Sequence, residues 1–194
     1  MIPLLTERLR LRALTPDDLD FVRRLHANPD LVRFIPSAIT PDEATARQHL
    51  EYFMSLADHP VQGFSLIELR GADDDGRAVA GTSVGLIMIK PIPPSGGGEA
   101  TVLEIGWRQA AAHCGNGYVT EAAQAVLDAL LDAGMPRVVA VTHPDNLPSQ
   151  AVARRIGMER VGLTDAYYDT ETLLFRAAPL TLTEAQQDSR VSAN

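Results

Sequence analysis

Cys114-Gly115-Asn116-Gly117-Tyr118-Val119-Thr120-Glu121 leads directly into an apolar-periodic segment. Glycines spaced Gly-x-Gly let a backbone approach a ligand that side chains would hold off. At a helix start they present N–H groups at the positive end of the helix dipole, where phosphate binds. Ala122, Ala123, Val126, Leu127, Leu130 and Leu131 fall on one face at helical spacing. They predict a helix from Gly117 to about Ala133, stopped by Gly134. Upstream, Val102-Leu103-Glu104-Ile105-Gly106-Trp107 reads as a strand. Strand, glycine loop and helix form an anion-binding unit. By itself the loop serves equally as a plain tight turn. It lacks the Gly-Lys-Ser/Thr of a Walker A loop, and the third glycine and distal acid of a dinucleotide fingerprint.

Working outward, Arg8-Leu9-Arg10-Leu11-Arg12-Ala13 alternates at period two and predicts a first strand with its arginines outward. Thr15-Pro16-Asp17-Asp18 opens a helix to about His26, broken at Asn28-Pro29. Thr40-Pro41-Asp42-Glu43 opens another through about Leu56. Residues 64–69 predict a strand, 71–76 a hairpin turn, 79–89 a long strand, and 91–98 a mobile proline- and glycine-rich loop. Val138-Val139-Ala140-Val141-Thr142 has the apolar run of a strand in a sheet centre. Residues 147–156 predict a helix closed by Gly157, and 160–163 and 172–176 the last strands. The order is mixed α/β, with antiparallel hairpins first. Nothing splits the chain, so one domain over 1–180 is expected, with a polar tail at 181–194.

The 194 residues, 45% hydrophobic and 22% charged, are ordinary for a soluble globular protein with a proper core. A net charge of −8 with no basic stripe argues against nucleic-acid binding and suits a cationic acceptor. One cysteine precludes an internal disulfide. No secretory pattern opens the chain and no apolar run reaches the ~18 residues of a membrane span, so a cytoplasmic protein without membrane contact is expected. The histidines at 26, 49, 59, 113 and 143 have no metal-ligand spacing, and no metal is expected. No Gly-x-Ser-x-Gly elbow occurs.

After the apolar strand comes Asn146-Leu147-Pro148-Ser149, then a helix ending Arg154-Arg155-Ile156-Gly157-Met158. With Thr6-Glu7-Arg8-Leu9-Arg10-Leu11-Arg12, Glu104-Ile105-Gly106-Trp107 and Gly115-Asn116-Gly117-Tyr118-Val119-Thr120-Glu121-Ala122, the chain resembles the GCN5-related N-acetyltransferase (GNAT) superfamily. It is most similar to the RimJ/RimL-type branch, which acetylates ribosomal-protein N-termini. The resemblance spans roughly residues 5–178.

The resemblance implies a mixed, mostly antiparallel sheet with a central splayed pair of parallel strands and helices on both faces. It implies acetyl-coenzyme A as cosubstrate. The backbone amides of Gly115, Asn116, Gly117, Tyr118, Val119 and Thr120 would hold its pyrophosphate. The strand at Ile105, Gly106 and Trp107 would pair with its pantetheine arm and polarise the acetyl carbonyl. The acceptor would be a primary amine, either a protein N-terminus or a small molecule; family analogy adds a homodimer. A non-catalytic acyl-coenzyme A-binding or sensing module is the alternative reading.

Glu104 points opposite to Leu103 and Ile105 on its strand and is the candidate general base, against a surface or salt-bridged role. By resemblance Ser149 is the candidate acid for the leaving thiolate, against a helix-start role. Asn146 would hydrogen-bond the pantetheine, against a plain N-cap. The chain carries Cys114, Val119 and Ala153 where the family often has Gln or Arg, a small residue, and a tyrosine acid. The acceptor side is expected from the first two helices, Arg33-Phe34-Ile35-Pro36, the loop at 91–98 and Tyr167-Tyr168, with the aromatics there read first as packing.

Overall fold

Period-two and helical patterning resolve into one mixed sheet with a helical layer on each face. The computed structural model describes residues 3–72, 76, 78–135 and 137–177. In chain order the elements begin with β1 (Leu4–Leu5), β2 (Leu9–Arg12), α1 (Leu19–His26), α2 (Pro29–Val32) and α3 (Glu43–Ser55). β3 (Gly63–Leu69), β4 (Ser83–Pro91), β5 (Leu103–Gln109) and α4 (Tyr118–Asp132) follow. β6 (Val138–Thr142), α5 (Leu147–Arg155), β7 (Glu159–Thr164) and β8 (Thr172–Ala177) complete the series. The eight strands lie in the order β1-β2-β3-β4-β5-β6-β8-β7. Every neighbouring pair is antiparallel except β5 with β6. The tail at 181–194 and the middle of the expected turn at 71–76 lie outside the described residues.

Each helical layer makes its own core. α4 buries the face read from its sequence, including Ala122, Ala123, Val126 and Leu127, against Ile87, Ile105 and Phe175. On the opposite face α1 and α3 bury Val22, Leu25, Leu50 and Phe53 against Phe64, Leu66 and Leu86. This second core draws its strand residues from β3 and β4 only.

The centre of the sheet splays as expected. β5 stays in register with β4 from Pro91↔Leu103 to Gly85↔Gln109. Its parallel pairing with β6 covers only Leu103↔Val138 and Glu104↔Val139. Beyond Glu104, the backbone groups of β5 that point toward β6 have no strand to pair with.

Several local expectations change. The strand at 79–89 starts only at Ser83, because Gly81 takes φ +83° and the Thr82 amide closes a turn onto the Val79 carbonyl. The helix expected from Thr15 opens as a 3-10 turn, Pro16–Asp18, before α1. Asn28-Pro29 does more than break a helix: the Asn28 side chain caps Asp30 N–H at 3.0 Å and α2 begins. α3 is capped by Asp42 rather than by Thr40, through the Thr45 amide at 2.8 Å. The arginines of β2 are not simply outward, since Arg10 and Arg12 both pair with the buried Glu68, and Arg12 also with Asp18. The loop at 91–98 is tied down by bonds to residues 165–169, described below.

Candidate active site

Gly117 caps α4 with φ +76°, a left-handed conformation that a β-carbon would strain. The first helical hydrogen bond runs from the Glu121 amide to the Gly117 carbonyl at 3.0 Å. The Val119 and Thr120 amides precede it and have no intrahelical acceptor. The amino-terminal Thr6-Glu7-Arg8 motif braces this loop. Thr6 Oγ1 and Arg8 N–H donate to Glu121 Oε1 at 2.5 and 3.0 Å, and Arg8 Nε donates to Oε2 at 2.7 Å. Arg8 also reaches the Asn116 carbonyl at 3.0 Å and lies over the Tyr118 ring at 4.9 Å. Burial pushes Glu121 upward most strongly, but the Thr6 and Arg8 bonds together outweigh it and hold the carboxyl below its ordinary range.

A cavity of about 380 Å³ opens where β5 parts from β6. On its β5 bank Glu104 is buried, while Ile105 turns away into the α4 core. Tyr168 Oη donates to Glu104 Oε2. Burial drives the Glu104 carboxyl upward, outweighing the Tyr168 bond and the charges of Lys90 and Arg108. Burial and Glu104 also raise the Tyr168 phenol. Lys90 Nζ stands 5.1 Å from the Tyr168 ring centre. Gly106 lies between Glu104 and Arg108 on one strand face, and a β-carbon there would strike the Met88 side chain.

Tyr168 and Asp169 both have positive φ, +62° and +53°. Two loops over-determine that conformation. Tyr168 N–H donates to the Pro93 carbonyl at 3.2 Å, and Ser95 N–H to the Ala166 carbonyl at 2.9 Å. Asp169 N–H donates to Ser95 Oγ at 2.9 Å, and Gly96 N–H to Asp169 Oδ1 at 2.7 Å.

The opposite bank comes from β6 and the start of α5. Thr142 Oγ1 is buried there without a hydrogen-bond partner. Asn146 Oδ1 accepts the Ser149 amide at 3.2 Å, so it caps α5, and both residues line the cavity. Phe34 packs on His143 with ring centres 5.4 Å apart, closing one end. A second cavity of about 440 Å³, under the turn at 111–113, has no carboxylate in its wall.

The structure thus brings Glu104, Ile105, Gly106, Trp107, Asn146 and Ser149 together around one cavity. Residues 115–120 stand apart from it, at the amino end of α4. Cys114 is exposed and also lies outside it. Ala153 is buried in the α4 core. Of the acceptor-side residues expected, Phe34, Ile35 and Tyr168 line the cavity, whereas the 91–98 loop acts through its hold on Tyr168. Sequence reasoning missed Lys90, Arg108 and the Tyr168–Glu104 bond. Arg108 was within reach, since four residues along a strand returns to the same face. Lys90 needed the β4–β5 register, which sets it opposite Glu104.

An unpaired strand edge, an orphaned polar atom beside it and a braced glycine loop suit a long ligand with amide groups and an anionic end. Comparison with known proteins agrees. The acetyltransferase (GNAT) domain family matches residues 8–159. The chain is 27% identical over 169 residues to the uncharacterized N-acetyltransferase p20 of Bacillus licheniformis, covering 86% of this chain and 88% of that protein. It is 41% identical over 66 residues to the uncharacterized N-acetyltransferase YnaD of Bacillus subtilis, a stretch covering 34% of this chain and 38% of that one. Its fold is shared with RimL, a ribosomal L7/L12 alpha-N-protein acetyltransferase solved in complex with coenzyme A joined to a cysteine by a disulfide. That likeness has a TM-score of 0.69 at 18% identity, over 90% of this chain and 96% of RimL. With the family matched over most of its length, and the splayed sheet and glycine loop in place, the chain belongs to the GNAT acetyltransferase family.

Proposed function

We propose that this protein moves an acetyl group from acetyl-coenzyme A directly to a primary amine, on a protein N-terminus or a small molecule. The observation that carries this reading is the buried Glu104 at the mouth of the β5–β6 splay. The RimL complex with coenzyme A and that protein's name support the cosubstrate and the N-terminal acceptor. The loop amides of 115–120 suit the pyrophosphate, and the open edge of β5 with Thr142 and Asn146 suits the pantetheine.

Bound acetyl-coenzyme A supplies the thioester. Glu104 takes the proton that the amine sheds as its nitrogen bonds the acetyl carbon. Backbone N–H groups at Ile105 to Trp107 hold the carbonyl oxygen as it gains charge. Ser149 donates its hydroxyl proton to the sulfur as the carbon–sulfur bond breaks, and regains one from water. A thiol has a pKa of about 8.5, so a weak donor suffices. Tyr168 keeps Glu104 aimed into the cavity.

The test is to incubate the protein with acetyl-coenzyme A and an amine panel while following free thiol. Amine-dependent thiol release is the expected result. Tight coenzyme A binding without it would favour the non-catalytic acyl-coenzyme A-binding module, a reading that Ala153 in place of a tyrosine supports.

A further inference from the structure

Arg108 has no task in acetyl transfer, yet it lines the same cavity as Glu104. Its hydrogen-bond partner is His26 Nε2 at 2.6 Å, and among the described residues it forms no ion pair. A guanidinium only donates, so Nε2 accepts and the His26 ring is neutral, with its proton on Nδ1. That Nδ1 is buried without a partner, and His26 is 0% exposed. The fold therefore leaves one buried donor unsatisfied while holding Arg108 by a neutral group. A carboxylate in that place would have cancelled the charge. The neutral ring leaves the charge in place, over the Phe53 ring at 5.8 Å, on a residue that lines the cavity.

The rest of the wall does not cancel it either. Among the residues lining the cavity, Lys90 and Arg108 face the single carboxylate of Glu104. A purely cationic acceptor such as a polyamine meets repulsion there. The net charge of −8 does little to offset this, because salt screens surface charges more than about 8–10 Å away.

We propose that the acceptor amine carries a carboxylate, received by Arg108 while the amine faces Glu104. The substrate class is then an amino acid, or a peptide whose N-terminus is followed by an acidic side chain. Arg108 is the specificity-determining residue and His26 its positioning residue. This rests on the acetyl-transfer reading above.

The experiment compares wild type, Arg108→Gln and Arg108→Lys on two matched pairs. The first is alanine against alaninamide. The second is a Ser-Glu-Gly amide against a Ser-Gln-Gly amide. Thiol release gives kcat/KM, and calorimetry on the protein saturated with coenzyme A gives acceptor affinity without turnover. Each acid-to-neutral ratio is taken relative to its value in Arg108→Gln, which cancels differences in amine basicity. The expected result is a wild-type ratio about tenfold or more above that of Arg108→Gln for at least one pair, as befits a charged hydrogen bond. Arg108→Lys should keep most of it. A response of the first pair alone identifies a free amino acid, and of the second alone a peptide N-terminus. Equal ratios in wild type and Arg108→Gln overturn the proposal. If Arg108→Gln fails to fold, a ratio unchanged between wild type and Arg108→Lys, with the acid favoured in both, supports it, and no acid preference in wild type overturns it. Coenzyme A binding with no thiol release from any amine would sink acetyl transfer alone, since the calorimetric ratios still decide the carboxylate site.

Discussion

Two buried side chains set the pH behaviour of this protein, and in different observables. The base role proposed for Glu104 requires its ionised form, and burial lifts its carboxyl above the ordinary range. Turnover should therefore fall as pH drops through that raised value, above the ~4.3 of a free glutamate. Glu104→Gln keeps an acceptor for Tyr168; it should lower kcat by about 10²- to 10⁴-fold and abolish the acid limb of the profile. Tyr168→Phe removes a bond that favours the carboxylate, so the limb should move to higher pH. An acid limb unchanged in both variants would contradict the role of Glu104. His26 instead governs stability. Burial first, then the charges of Arg108 and His49, push it down to about 3. Between that value and ~6.5 the unfolded chain takes up a proton that the folded chain refuses. The His26 share of stability should thus fall as pH drops below ~6.5, by about 1.4 kcal/mol per pH unit, with the lowered His49 adding to it and the raised Glu104 opposing it. Urea midpoints at pH 7 and 5.5 measure this. His26→Gln keeps an acceptor for Arg108 and should remove the His26 share, so the difference between wild type and His26→Gln isolates it from those of His49 and Glu104.

At the scale of elements, the amino end of α4 is held by a motif more than a hundred residues earlier in the chain. Glu121 collects Thr6 and Arg8, so the glycine loop is fixed to β2 as well as to its own helix. Glu121→Ala should cost about 1–2 kcal/mol in denaturant unfolding, because several bonds to one partly buried carboxylate are lost together. It should also weaken coenzyme A binding, read by calorimetry, while leaving the acceptor preference in place. Loss of stability with unchanged coenzyme A affinity would show that the brace does not serve the loop. The glycine loop and α4 were legible because every signal needed was local: a left-handed glycine, an apolar stripe and a stop at Gly134. The start of β4 was not, since Val79 looks like a strand residue and only the turn through Gly81 sets it apart.

For the whole molecule, the splay ties stability to the proposed function. The sheet surrenders strand pairing at its centre, so a ligand that bridges β5 and β6 should stabilise the folded chain. Acetyl-coenzyme A at 100 times its Kd should add about 2.7 kcal/mol, which raises Tm by about 5–10 °C for a domain of this size. Differential scanning calorimetry checks this, and no shift at saturating ligand would contradict a site in the splay. No helix among the described residues is long and apolar enough to cross a membrane.

Read by itself, the sequence determined most of the elements, the glycine loop before α4 and the direction in which Glu104 points, because those follow from local spacing and from period-two alternation. It also held the motifs by which the family is recognised. The tertiary structure alone decided which side chains share the cavity. Lys90 reaches Glu104 through strand register, Tyr168 through two interlocked loops, and His26 reaches Arg108 across the packing of α1 on the sheet. A one-residue slip in register would turn each strand's side chains to the opposite face. That register rests on contacts distant in sequence, so the charge balance around the cavity could be read only from the folded chain.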